Sequence, residues 1–157
     1  MNAPARHSLL VALVLPCFAA TDPIDPVAPV TDIEEVGVVS AGFAEKGQSD
    51  VFFGDATQTG HDEASGATVN PTARFLGRPA CFMHSPFKRA HGVVFQEFTF
   101  RLPTAPAAAI EGFTVMQENA EKSDGVTFRV LVDGQPAWSE HRKSSAWESF
   151  RADLAAW

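Results

Sequence analysis

The stretch Val126 to Asp133, Val-Thr-Phe-Arg-Val-Leu-Val-Asp, leaves few folds open to this chain. Val126, Phe128, Val130 and Val132 share one face at a strict period of two. Thr127, Arg129 and Asp133 take the other face, with Leu131 the one apolar exception. Alternation of this kind, built from β-branched and aromatic residues, is the pattern of a half-buried β-strand. Asp133-Gly134 then marks a tight reversal, because glycine tolerates positive φ and aspartate bonds its own local backbone. The returning run Ala137 to His141 is expected to pair beside the first arm.

Other segments carry the same signal. Val94, Phe98, Phe100 and Leu102 define an apolar face interrupted only by Gln96, and Pro103 and Pro106 stop that element. Val36 to Phe43 reads as an entering strand weakened by Gly37 and Gly42, and Val51-Phe52-Phe53 as a short buried strand end. Ala107 to Ile110 alone would start a helix, but Gly112-Phe113-Thr114-Val115-Met116 returns the preference to strand. Strand follows strand with no sustained helical period between them. That order excludes a βαβ architecture and predicts an all-β, antiparallel β-sandwich or jelly roll. Thirteen Phe and three Trp, against no Tyr, give its core large apolar pieces.

From Gly54 to Arg78 the chain is polar and glycine-rich and reads as turns, with a short strand expected near Thr72 to Leu76. The end has two readings. Trp147, Phe150, Leu154 and Trp157 would align on a helix face, whereas Phe150, Ala152 and Leu154 would share one face of a strand.

The first residues have a different character. Arg6 and His7 precede the apolar run Leu9 to Leu15, Pro16 ends it, and Ala19 is a small residue suited to a cut. Residues 1–19 therefore read as a secretory signal peptide, too short in its apolar part for a membrane-spanning helix. Residues 20–35 follow as an acidic, proline-rich leader or linker, and residues 36–157 as the β-sandwich domain. Such a chain is expected outside the cytoplasm, extracellular or periplasmic. Removal of residues 1–19 takes one cation, Arg6, and no anion, so the formal charge of −7 becomes −8. That acidity argues against electrostatic capture of nucleic acid or anionic lipid. Cleavage also leaves Cys81 without a disulfide partner, flanked by Ala80 and Phe82 as a small buried hydrophobe.

No catalytic motif stands out. His61, His84, His91 and His141 lack paired zinc-ligand spacing, and no nucleophile elbow, phosphate loop or dinucleotide fingerprint occurs. Asp50, Asp55, Asp62 and Glu63, in and around the glycine-rich loop, offer hard oxygen ligands of the kind a structural calcium takes, but do not match the EF-hand pattern. Trp138 and Trp147 are candidate platforms for the apolar faces of sugar rings, with a core role as the competing assignment. Arg129 on the strand, and Arg142 following its return arm, supply fixed donors for hydroxyls or carboxylates.

Lys122 to Val130, the Asp133-Gly134 turn, Trp147-Glu148-Ser149-Phe150 and Asp153-Leu154 together resemble the galactose-binding-like jelly rolls. In particular they resemble the carbohydrate-binding modules found at the N-termini of some glycoside hydrolases, over Val93 to Trp157. The resemblance implies a non-catalytic extracellular module that binds carbohydrate or a cell-surface glycan, accessory to a polysaccharide-degrading system. A structural or protein-interaction sandwich without a sugar site is the second reading, and a glycoside hydrolase the third. Domains of that family continue past the Asp-Leu segment with further strands. The resemblance thus implies a jelly roll truncated at its C-terminus, with another domain or protein covering the open sheet edge.

Overall fold

The computed structural model describes residues 7–12, 38–100, 108–117 and 123–157. The expected cut after Ala19, the proline-rich stretch 20–35, Leu102, Pro103, Pro106 and the connection Asn119 to Lys122 lie outside the described residues. The strands are β1 (His7–Ala12), β2 (Val38–Glu45), β3 (Val51–Phe52), β4 (Gly60–His61), β5 (Thr68–Phe75) and β6 (Arg78–His84). There follow β7 (Gly92–Phe100), β8 (Ala109–Thr114), β9 (Val126–Val132), β10 (Gln135–Arg142) and β11 (Glu148–Asp153). Among the described residues there is no helix, and every strand pairing is antiparallel. The protein is all-β, in an arrangement consistent with a β-sandwich.

Six strands form the large sheet in the order β10-β9-β1-β7-β2-β3; β11-β8 and β4-β5-β6 form two small ones. The expected hairpin is β9 and β10. Asp133 and Gly134 adopt φ of 49° and 77°, the two left-handed residues of a primed two-residue turn. Phe128, Val130 and Val132 are buried, while Thr127 and Arg129 are exposed. On β7, Val94, Gln96 and Phe98 are buried on one face, and on β2 Ala41 and Phe43 stand opposite Gln96 and Val94. This face is the floor of the core. Phe98, Val130 and Val132 pack against Phe150, Ala152 and Leu154 of the β8–β11 segment, with Trp157 against the same cluster. Ala41 and Val94 pack against Val69 and Cys81 of β5 and β6. Phe128, Ala80 and Val115 fill the space between the two small sheets. Gly42 permits the close approach of β2 to β3, since a Cβ there would overlap the Val51 carbonyl oxygen and the Phe95 ring.

The C-terminal segment takes the strand reading, not the helical one. Phe150 and Ala152 alternate with exposed Ser149, Arg151 and Asp153, and β11 pairs in register with β8. The larger departure is at residues 54–84. The short strand expected near Thr72 to Leu76 is the end of a longer one, and it belongs to a full hairpin, β5–β6, turning at Leu76 (φ 48°) and Gly77 (φ 81°). Both strands contain a proline. Pro71 falls where the register shifts between Asn70 and Ala73, and Pro79 lies on β6, an edge strand. Those are the positions a sheet tolerates without an N–H.

Two substitutions test this architecture. Phe128→Ala should cost about 3–5 kcal/mol in equilibrium denaturation, the usual loss for a buried phenylalanine. Leu76→Asn should raise stability by roughly 1 kcal/mol, because an exposed leucine in the left-handed region carries the steric cost that asparagine eases. A melting temperature unchanged or lowered by Leu76→Asn would show the turn to be misassigned.

Candidate functional site

The residues singled out in the sequence do not converge on one place. Trp138 stands opposite Val130 in the β9–β10 register and packs on Phe150, with ring centroids 4.7 Å apart. It belongs to the core wall. Arg142 lies 6.0 Å over the Trp138 ring, pairs with Glu148 and with Glu140 at 2.8 Å, and donates to the Ser149 carbonyl at 3.2 Å. It ties the edge of the large sheet to β11. Arg129 pairs with Ser139 on the opposite face of the β9–β10 ribbon, so the sheet separates it from both tryptophans. Trp147 is half-buried, edge-on to Phe75 at 6.1 Å, with the Arg78 guanidinium 5.7 Å from its ring centre. Its Nε1 is buried without a hydrogen-bond partner.

The four acidic candidates are dispersed around the loops. Asp50 is exposed beside β3. Asp55 accepts from the Thr57 hydroxyl at 2.7 Å and the Thr57 N–H at 2.9 Å, then from Gln58, and these bonds hold its carboxyl below the usual value. Asp62 is lowered by hydrogen bonds from Ser65, whose N–H lies 2.7 Å away, and by the nearby Arg89. Glu63 is lowered by Lys88 at 3.0 Å and by His61 at 3.2 Å. Asp55 and Asp62 thus fold their own loops, and Glu63 ties its loop to Lys88. Among the described residues no three His, Cys, Asp or Glu side chains are grouped so as to hold a metal ion.

A concave feature of the surface lies elsewhere, on the β5–β6 hairpin where it meets the end of β8. A cavity of about 230 Å³ is lined by Asn70, Ala73, Arg74, Phe75, Ala80, Cys81, Phe82, Val115 and Gln117. Ala73, Ala80, Cys81 and Val115 supply an apolar lining, and Phe75 and Phe82 supply rings. Asn70, Arg74 and Gln117 bring the polar groups. The Asn70 Oδ1 accepts from the Thr72 N–H at 3.1 Å, and one Arg74 Nη donates to the Gly77 carbonyl at 2.6 Å, which steadies both side chains. From Phe82 an aromatic strip continues along the edge: Phe82 to His84 at 6.4 Å, then His84 to Phe87 at 4.7 Å. Phe87 is 58 % exposed.

Cys81 is not a nucleophile in this setting. Burial pushes its thiol from 9.0 up to about 12, and its S–H donates to Gln96 Oε1 at 2.9 Å. The cavity residues escaped the sequence because they sit on a hairpin that two prolines and a Leu-Gly turn disguise. The legible signal was the alternation Ala80, Phe82, His84 along β6.

No family model, curated protein or solved structure matches this chain.

The carboxylates give a pH prediction. Asp55, Asp62 and Glu63 all sit below their ordinary values of 3.8, 3.8 and 4.5. A depressed carboxylate stabilises the folded loop above its ordinary value, and that contribution vanishes as pH falls through the depressed one. Hydrogen-exchange protection over residues 55–68 should therefore fade as pH drops below about 4, ahead of that in β7 and β9. Asp62→Asn should weaken protection of the Ser65 amide at neutral pH.

Proposed function

We propose that the protein is a non-catalytic carbohydrate-binding module of the galactose-binding-like jelly-roll type, working outside the cell beside a polysaccharide-degrading partner. The observation that carries this reading is the cavity on β5–β6 together with the Phe82, His84 and Phe87 strip leading out of it. A pyranose presents an apolar C–H face and a rim of hydroxyls. Aromatic and aliphatic surfaces suit the face, and amide and guanidinium groups suit the rim. Asn70, Arg74 and Gln117 stand around an apolar lining in that way. At about 230 Å³ the cavity is smaller than the ~300–1,000 Å³ typical of drug-sized ligands, so it fits one terminal ring, with following units on the exposed strip.

In this reading Trp147 is the buttress behind Phe75 rather than the stacking platform, and Trp138 and Arg142 are structural. Arg129 is remote from the sugar. A structural calcium at the 50–63 loops is compatible with sugar binding but plays no part in it.

A second reading, a protein-interaction domain, is favoured by the outer face of the large sheet. Phe52 and Val93, in register with Gly42 and Ala44 of β2, are 58 % and 49 % exposed, apolar surface of the sort that marks interaction sites.

A glycan array with the purified chain distinguishes the two. Reproducible binding to a defined sugar set is expected, lost in Arg74→Ala and in Phe82→Ala and weakened at least ~10-fold in Phe87→Ala, as the loss of one stacking contact of about 1.4 kcal/mol implies. Phe52→Ser should leave sugar binding unchanged. No glycan bound by a folded chain, or binding indifferent to Arg74 and Phe82, defeats the proposal.

A further inference from the structure

We propose that the space between β7 and β9 is a slot for one strand antiparallel to both, and that the chain's own segment His7–Ala12 is its occupant. This inference rests on the register of the large sheet and the sugar reading on the β5–β6 cavity; the two meet only in the cut after Ala19 that an exported form would carry. Among the described residues β7 and β9 do not pair with each other; β1 lies between them. It pairs with β7 from His7–Phe100 to Val11–Gln96, and with β9 from Leu9–Val132 to Ala12–Arg129. Strands antiparallel to a common neighbour run parallel to each other. Without that neighbour they would stand two strand spacings apart, about 9–10 Å, beyond reach of a backbone hydrogen bond. Emptying the slot would orphan a row of N–H and C=O groups on each side, at the centre of the large sheet rather than at its rim.

The register matches chemistry as well as geometry. Leu9 lies opposite Phe98 and Val132, Val11 opposite Gln96 and Val130, and Ser8 opposite Thr99. Phe98, Val130, Val132 and Gln96 are all buried. Leu10 takes the other face, opposite Glu97 and Leu131, and a slip of one residue would move Leu9 and Val11 off the register of the buried face. Its residues Leu9 to Ala12 fall within Leu9 to Leu15, which reads in the sequence as the apolar part of an export signal. A chain cut after Ala19 therefore carries the slot open, and the unprocessed chain carries it filled. An open slot of this form takes an extended apolar segment by strand addition.

The test uses the unprocessed chain, produced inside the cell, with intact mass confirming that residues 7–12 are present. A site for a sequence-specific protease is inserted in the proline-rich stretch 20–35 and cut after folding. The N-terminal fragment should then co-elute with the body in native gel filtration and leave it only in denaturant. The amides of Gln96–Phe100 and Arg129–Val132 should be slow in hydrogen exchange. Leu9→Asp with Val11→Asp should abolish retention of the cut fragment and raise exchange in both flanking strands together. A synthetic peptide spanning residues 6–13 should compete with the fragment. Release of the wild-type fragment under native conditions overturns the assignment, whether the body stays monomeric or fills the slot by pairing with a second copy. Equal retention of the Asp variant overturns it as well.

Discussion

Phe128, Val130 and Val132 of β9 lie on the same face of the large sheet as Val94, Gln96 and Phe98 of β7 and Ala41 and Phe43 of β2, and the two small sheets bury their own apolar residues against that face. A two-stranded sheet such as β8–β11 is marginal by itself in water. Its Phe150, Ala152 and Leu154 are covered because β9 and β7 present Val130, Val132 and Phe98 to them. The β5–β6 hairpin is held likewise, through Val69 and Cys81 against Ala41 and Val94. The position of the cavity follows from this dependence. It opens where the two small sheets meet over Phe128, Ala80 and Val115, at the seam between separate lids on a common floor.

The core is not wholly apolar: Ser65, Gln96 and Thr114 are buried, and Gln96 touches Cys81 of the cavity lining. Gln96 is 3 % exposed in the middle of β7, with its Oε1 bonded to the Cys81 thiol and its Nε2 without a partner. An unsatisfied buried amide costs about 1–3 kcal/mol. Isosteric apolar residues at 96 and 81 would avoid that cost, so the pair trades stability for a directional link between the large sheet and β6. The link fixes the β6 backbone at Cys81, which lies between the cavity residues Ala80 and Phe82. The floor thus reaches the site through a single hydrogen bond as well as through packing.

How much of this the sequence reveals depends on how local the determinant is. The β9–β10 hairpin is legible because alternation and an Asp-Gly turn lie within a few consecutive residues. The C-terminal strand is ambiguous because Phe150 and Leu154 satisfy periods of two and of 3.6 alike; pairing with β8, some forty residues away in sequence, decides it. The β5–β6 hairpin is hidden because Leu76 is an improbable residue at positive φ, and because Pro71 and Pro79 read as breaks until the bulge and the edge that accommodate them are known. The site is hidden for the same reason. Its polar groups come from β5, and from residue 117 beyond β8, and no sequence spacing links Asn70 and Arg74 to Gln117.

The aromatic residues divide by the same logic, and the division bears on what any ligand would meet. A tryptophan on an edge strand looks from sequence like a platform, and Trp138 does lie on β10, an edge of the large sheet. Its register partner Val130 nevertheless faces the core, so the ring turns inward onto Phe150 and the Arg142 guanidinium covers its other side. Arg142 is anchored by Glu140 and Glu148 and is only 12 % exposed, so the cation that looked available for recognition is used up in joining β10 to β11. On β6 the strip opens to solvent, with His84 and Phe87 exposed. Phe82, His84 and Phe87 follow the strand toward solvent, and the His84 Nδ1–H donates to the Ser85 carbonyl at 2.8 Å, which fixes the ring between the two phenylalanines. What separates a structural aromatic from an available one here is whether a second element crosses over it, a property set by the pairing of β8 with β11 rather than by the residue or its neighbours in sequence.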